Sequence, residues 1–171
     1  TLIARAGRRG VTLEGARSLV RTDTTVIASI ALVRGDADAM ICGLSGRFER
    51  HIRYVRLIVG ASEETRDRDL SALSMLISQK GVTFYTDTYV TVEPSAEEIA
   101  EMTMLAAEEI RRFGIEPKAA MLSFSNFGSR DTDSTLKMRE AARILKSHAP
   151  DLECDGEMHA DSALSETLRN R

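Results

Sequence analysis

The sequence lacks several features that would commit it to a specialised class of protein. It has two cysteines, three prolines and no tryptophan among 171 residues, and no apolar run long enough to span a bilayer. Cys42 and Cys154 lie far apart, which argues against a disulfide framework and against a paired-thiol metal site. Both occur in apolar, strand-like surroundings and are predicted to be buried thiols. Reduced, buried thiols favour a cytoplasmic protein.

Neither sign of charge dominates the chain. Lys and Arg total 23 against 26 for Asp and Glu, so the net charge is −3. So mild an acidity gives no general attraction to nucleic acid or to an anionic membrane, and we expect neither partner. The chain begins Thr1-Leu2-Ile3, without an initiator Met or a signal peptide. We therefore expect that it was cut from a longer protein.

Helix-sized segments alternate with short apolar runs along the chain. Helical spacing of apolar residues predicts helices over 12–21, 24–33, 47–59, 95–113, 135–148 and 162–169. Short apolar runs predict buried strands at 39–42, 119–122 and 152–155, and alternation within 70–91 around Gln79-Lys80-Gly81 predicts a β-hairpin. Strands joined through helices predict an α/β fold, a layered and mostly parallel sheet with flanking helices.

A polar loop over 123–130 is the most informative candidate site. It follows a predicted strand and precedes a predicted helix, where open α/β sheets collect ligands. Its small residues allow close approach of a ligand, its hydroxyls and amides can donate, and one cation favours an anion. The predicted ligand-binding residues of the loop are Ser123, Ser125, Asn126, Gly128, Ser129 and Arg130. The alternative is a strand-to-helix turn that caps its own helix.

Two further polar segments are weaker candidates. Arginines at 47, 50, 53 and 56 follow Gly46 and could meet phosphates, although a charged helix face is more often only solvated. Glu157, His159 and Asp161 could converge on a metal if extended, but the same spacing fits a turn that opens the last helix. We predict no metal site. No P-loop, dinucleotide motif or Ser-His-Asp arrangement is found, and no catalytic residue is predicted.

Several segments, taken in order, carry a family resemblance. These segments are Gly35–Gly43, Thr86–Val90, Pro94–Glu98, Arg111–Pro117, Ser123–Ser129 and Asp155–His159. They resemble the phosphotransacetylase-like region of bacterial multidomain malic enzymes, within the phosphate acetyl/butyryltransferase family. The likeness runs from about Gly10 to the end of the chain.

The resemblance implies an incomplete portion of a two-domain fold. Residues 1–60 would end the first α/β subdomain, and residues 61–171 would form part of the second. It implies a parent enzyme that decarboxylates malate to pyruvate with NADP and a divalent cation, both held by a malic enzyme domain in the same chain. This segment would need no cofactor, would bind acetyl-CoA as an effector, and would assist formation of a homo-oligomer.

The resemblance also bears on single residues. Arg53 matches a cleft arginine of the active transferases and joins the predicted ligand-binding set. The His-Ser-Thr that precedes that arginine is here Gly46-Arg47-Phe48, and the C-terminal Ser-Arg and Asp have no counterpart before Arg171. Relatives carry Gln where His159 stands, which also disfavours a metal. These departures imply an inactive transferase. An active phosphate acetyltransferase and a purely structural assembly domain are the alternatives.

Overall fold

The computed structural model describes residues 1–60, 70–79 and 81–169. The chain divides into two compact units, Thr1–Leu70 and Ser71–Arg171. The subdomain boundary predicted after residue 60 borders residues 61–69, which lie outside the described part, and it stays a prediction. Lys80, at the predicted hairpin turn, is also outside the described residues.

The described residues of the first unit form helices α1 (Leu2–Ala6), α2 (Leu13–Thr22), α3 (Thr24–Arg34) and α4 (Phe48–Ile58), with one 3₁₀ turn, Gly7–Arg9, after α1. The predicted helices over 12–21, 24–33 and 47–59 are confirmed, whereas α1 was not predicted. Thr12 caps α2 by accepting from the Gly15 amide at 3.1 Å. A small apolar core holds the helices together and comprises Leu2, Ala6, Ala16, Val26 and Ile58.

The strand predicted at 39–42 is wrong. These residues are irregular, Ile41 is 99% exposed, and Cys42 is exposed rather than buried. A buried strand needs a neighbouring strand to satisfy its backbone and a layer to cover its side chains. The part of this unit that the structure describes is helical and offers no strand for pairing. An apolar run alone therefore did not decide the structure here.

The second unit begins with a hairpin of β1 (Ser74–Ser78) and β2 (Gly81–Tyr85), which pair antiparallel. It continues through α5 (Ala96–Arg112), β3 (Lys118–Leu122), α6 (Asp133–His148), β4 (Glu153–Met158), α7 (Ala160–Leu164) and α8 (Glu166–Arg169). Strands β3 and β4 pair in parallel. The α/β class and the hairpin are confirmed. The helix predicted over 162–169 is instead two short helices that break at Ser165.

Alanine-rich helix faces pack α5 and α6 together and against β3 and β4. The shared core consists of Ala96, Ala100, Ala107, Met121, Ala141, Ala142, Leu145 and Leu152. Small side chains let these elements approach closely, so β3 and β4 are held firmly at the point where their carboxyl ends lead into loops. Cys154, predicted to be buried, is half-buried beside this core, and burial raises the pKa of its thiol. Among the helices described, none is long and apolar enough to cross a membrane.

Candidate functional site

Strand β4 carries one extra residue close to its carboxyl end. Gly156 pairs with Met121 and Met158 pairs with Leu122, so Glu157 stands opposite no residue of β3. Such a bulge redirects a side chain that would otherwise alternate with its neighbours. Only glycine fits at 156, because its φ is +129° and a Cβ would lie 2.7 Å from the Met121 carbonyl oxygen. The bulge places Glu157 inside the protein, 0% exposed.

The carboxylate of Glu157 accepts hydrogen bonds from the loop that was predicted to bind a ligand. Its Oε1 accepts from the Ser125 hydroxyl at 2.8 Å and from the Gly128 amide at 2.9 Å. Its main-chain oxygen accepts from the Phe127 amide at 2.8 Å. Burial raises the pKa of Glu157, but the bonds from Gly128 and Ser125 outweigh burial and hold that pKa below its ordinary value.

One arginine balances this buried charge. Arg139 Nε lies 3.2 Å from Glu157 Oε2, an ion pair whose angle does not make a hydrogen bond. The same guanidinium pairs with Asp131 and donates to the Arg130 carbonyl oxygen at 3.2 Å. Arg139 therefore joins the loop, the start of α6 and the bulge of β4. A charge buried without such a partner would be costly.

Two serine hydroxyls of the loop hydrogen-bond to each other, and one of them reaches the buried carboxylate. Ser125 is fully buried, and because it donates to Glu157 it accepts from the Ser129 hydroxyl and from the Arg130 amide, both at 3.1 Å. Ser129 in turn accepts from the Asn126 amide at 3.1 Å. The Ser123 hydroxyl is buried as well. Ser125 and Ser129 therefore hydrogen-bond within the loop, whereas the cap of α6 is Thr132, which is not one of these serines.

The loop is also tied to its flanking helices. Asn126 Oδ1 accepts from the His159 amide at 2.7 Å, at the start of α7. Thr135 donates its hydroxyl to the Arg130 carbonyl oxygen at 2.9 Å, and it shares a capping box with Thr132 at the start of α6. His159 contributes its backbone here. No group of three metal-ligating side chains occurs in the described part of the chain.

Four residues of the loop that carry a side chain are exposed to solvent, and Ser129 is one of them. The other three are Phe124, Phe127 and Arg130. Phe127 adopts a φ of +45°, a left-handed conformation that is uncommon for a bulky residue. The structure thus leaves Gly128, Ser129 and Arg130 of the six predicted loop residues exposed, and ligand binding by the loop stays a prediction. Glu157, Arg139 and Phe127 were missed as site residues, although the Gly156–His159 motif contains the first of them.

Arg53 belongs to the other unit, on the exposed side of α4. Its guanidinium carbon lies 5.2 Å from the ring centroid of Tyr54, and it lines a concave surface together with Arg47 and Arg50. Arg50 is committed to the protein, since its Nη2 lies 2.6 Å from Asp23 Oδ2. The prediction that Arg53 and the loop bind one ligand stays a prediction.

The sequence profile of the family described as phosphate acetyl/butaryl transferase matches residues 1–171. The chain belongs to this family. The chain is 60% identical over 168 residues to an NAD-dependent malic enzyme of Rhizobium meliloti (strain 1021). The match covers 98% of this chain and 22% of that protein. An NADP-dependent malic enzyme of Escherichia coli (strain K12) is 48% identical over 95% of this chain and 21% of its own length.

Other members of the family are transferases by name. A phosphate acetyltransferase of Synechocystis sp. is 30% identical over 94% of this chain and 22% of its own length. A phosphotransacetylase structure from Streptococcus pyogenes matches with a TM-score of 0.81 at 30% identity, covering 99% of this chain and 52% of that chain. The EutD phosphotransacetylase of Staphylococcus aureus, at 23% identity and the same TM-score and coverage, shows the shared fold. The chain thus has part of a phosphotransacetylase fold and spans about a fifth of the malic enzymes it matches.

Proposed function

We propose that this chain is the regulatory, acetyl-CoA-binding and oligomerisation segment of a malic enzyme that oxidatively decarboxylates malate to pyruvate. The observation that carries the proposal is 60% identity to a malic enzyme over 98% of the chain, combined with a phosphotransacetylase fold. That fold is shared with proteins named for acetyl transfer, and a CoA thioester is the ligand such chemistry handles.

The chemistry of the loop favours binding over transfer. Covalent transfer to a serine needs an exposed hydroxyl beside a general base. Ser125 is fully buried and donates to a carboxylate whose pKa is low, and Ser129 is exposed but bonds to the Ser125 hydroxyl rather than to a base. The exposed groups, Phe127 and Arg130, bind without reacting. A guanidinium suits the phosphates of CoA, and an aromatic ring suits its adenine.

Regulation requires only a modest difference in affinity. If acetyl-CoA binds one global state of the enzyme better than another, a coupling of about 1–3 kcal/mol changes activity severalfold. No reaction of the effector is needed.

The parent's coenzyme and location follow from the same proposal. We expect a nicotinamide coenzyme and a divalent cation in the malic enzyme domain, in a cytoplasmic homo-oligomer. NADP is the coenzyme predicted from the sequence, while the relative at 60% identity is named NAD-dependent. Malate oxidation by the full-length enzyme with each coenzyme distinguishes the two.

Removing the proposed phosphate contacts tests the site. In the full-length enzyme, Arg130→Ala is expected to raise the acetyl-CoA inhibition constant roughly tenfold or more, because charge-assisted hydrogen bonds are lost. Arg53→Ala is measured as a separate variant. The matched control is Arg112→Ala, an exposed arginine of α5 whose partner is Glu109 at 2.9 Å. An unchanged inhibition constant in Arg130→Ala, or an equal change in the control, would contradict the loop site, and an unchanged constant in Arg53→Ala would contradict the assignment of Arg53.

A working transferase is the second candidate, favoured by the 30% identity to a phosphate acetyltransferase over 94% of the chain. Formation of acetyl-CoA from acetyl phosphate and CoA by the full-length protein would establish it. A purely structural assembly domain would instead show no thermal stabilisation by acetyl-CoA, because a ligand stabilises only the state that binds it.

A further inference from the structure

Glu157 controls the backbone that carries the exposed side chains of the loop. The Phe127 amide donates to its main-chain oxygen and the Gly128 amide donates to its carboxylate. The Arg130 amide is linked to Glu157 indirectly. It donates to the Ser125 hydroxyl, and that hydroxyl donates to the same carboxylate oxygen. Three amides within four consecutive residues therefore depend on one buried side chain and its own carbonyl.

The hydrogen bonds to Glu157 affect the backbone conformation of Phe127. Its φ of +45° is unfavourable for a residue with a large side chain, and such conformations persist where the surroundings enforce them. Packing of the ring does not enforce it, since Phe127 is 53% exposed. The flanking bonds to Glu157 do. The backbone of the loop thus holds the Phe127 ring in an exposed position. Arg130, an exposed cation, follows three residues later in the same loop.

We infer that Glu157 is the positioning residue of the effector site, holding the Phe127 ring and the Arg130 guanidinium in place for the adenine and phosphate groups of a CoA thioester. This inference rests on the proposed function. The flat base stacks on the ring and the guanidinium takes a phosphate. Glu157 touches no ligand atom. It acts because a preformed loop loses less freedom on binding than a mobile one.

Two substitutions of Glu157 separate the hydrogen bonds that its carboxylate accepts from its negative charge. Glu157→Gln keeps an oxygen that accepts from Ser125 and Gly128, and changes only the atom that faces Arg139. Glu157→Met has a similar size but no acceptor, so both donors lose their partner inside the protein. The two variants therefore differ in whether the loop is held, while both remove the negative charge.

The test is the acetyl-CoA inhibition constant of the full-length enzyme, with the Michaelis constant for malate as internal reference. Glu157→Met is expected to raise the inhibition constant about tenfold, and Glu157→Gln less than about threefold. A positioning role also predicts non-additivity, so adding Arg130→Ala to Glu157→Met should cost much less than it costs the wild-type enzyme. Full additivity, or equal effects of Gln and Met, would overturn the role of Glu157.

Ser125→Ala provides a second, milder variant should Glu157→Met fail to fold. It removes the link between Glu157 and the Arg130 amide and leaves the carboxylate in place, and it is expected to raise the inhibition constant about threefold or more. An unchanged constant would overturn the inference. A wild-type enzyme that acetyl-CoA does not inhibit would overturn the proposed function as well, whereas an inhibited wild type with an unaffected Glu157→Met variant would overturn only the role of Glu157.

Discussion

The carboxylates of Asp23, Asp87 and Glu157 each accept several hydrogen bonds in the folded chain. Asp23 caps α3, Asp87 accepts from the Ala72 amide at 2.8 Å and the Thr91 amide at 2.6 Å, and Glu157 holds the loop. In each case burial raises the pKa of the carboxyl, but the hydrogen bonds outweigh burial and the pKa is lowered. These residues therefore link stability to pH.

The sign of that linkage predicts acid destabilisation. A lowered pKa contributes stability that is present above the unfolded value, 3.8 for Asp and 4.5 for Glu, and is lost as pH falls through the folded value. The melting temperature of the 171-residue chain should be flat above about pH 5 and fall below it. Glu157→Gln should flatten that fall, and Glu109→Gln, at an exposed helix position, should not. A chain equally stable at pH 3 and pH 7 would contradict this.

Gly156 allows a second prediction for a single residue. Gly156→Ala should lower the free energy of unfolding by at least about 3 kcal/mol, because the new methyl meets the β3 backbone in addition to an unfavourable φ. Gly114→Ala is the matched control, with a φ of +74° and nothing within 4 Å of the added carbon. It should cost about 1–2 kcal/mol. Urea denaturation measures both free energies of unfolding. Equal losses in the two variants would show that the close approach of β3 and β4 is unimportant.

At the scale of elements, local signals predicted most of the helices, but not α1 or the break at Ser165. The capping box of Ser95 and Glu98 is present, with bonds of 3.2 and 2.7 Å, at the start predicted for α5. Signals that depend on a neighbouring element were not sufficient. The apolar run at 39–42 gave no information on whether a strand lies beside it, and the bulge at Glu157 arises from the register between β3 and β4. Neither is encoded by periodicity within one segment.

The hairpin is the element whose exposure has a testable consequence. Ile77 is 73% exposed, and Leu76 and Val82 are exposed beside it. Uncovered apolar strands favour association. The 171-residue chain is therefore expected to self-associate, and Ile77→Lys should shift it toward the monomer in sedimentation velocity. Lys146→Gln, an exposed change in α6, serves as the control. A wild-type chain that stays monomeric at all concentrations would refute this expectation.

For the molecule as a whole, ordered motifs predicted the family and the α/β class, and both are confirmed. The motifs also located the loop over 123–130. They did not show which of its groups are buried, because the direction of Ser125 and Ser129 depends on a carboxylate from β4, 28 or more residues further along the chain. Residue types predicted a polar loop, and only tertiary contacts show which of its groups hydrogen-bond inside the protein and which are exposed.

The central claim is that this segment binds acetyl-CoA without transferring its acetyl group. Equilibrium titration of the full-length enzyme with acetyl-CoA, in the presence of phosphate and followed by analysis of the recovered ligand, tests it most directly. We expect saturable binding and recovery of the intact thioester. Absence of binding, or recovery of free CoA with acetyl phosphate, would contradict it.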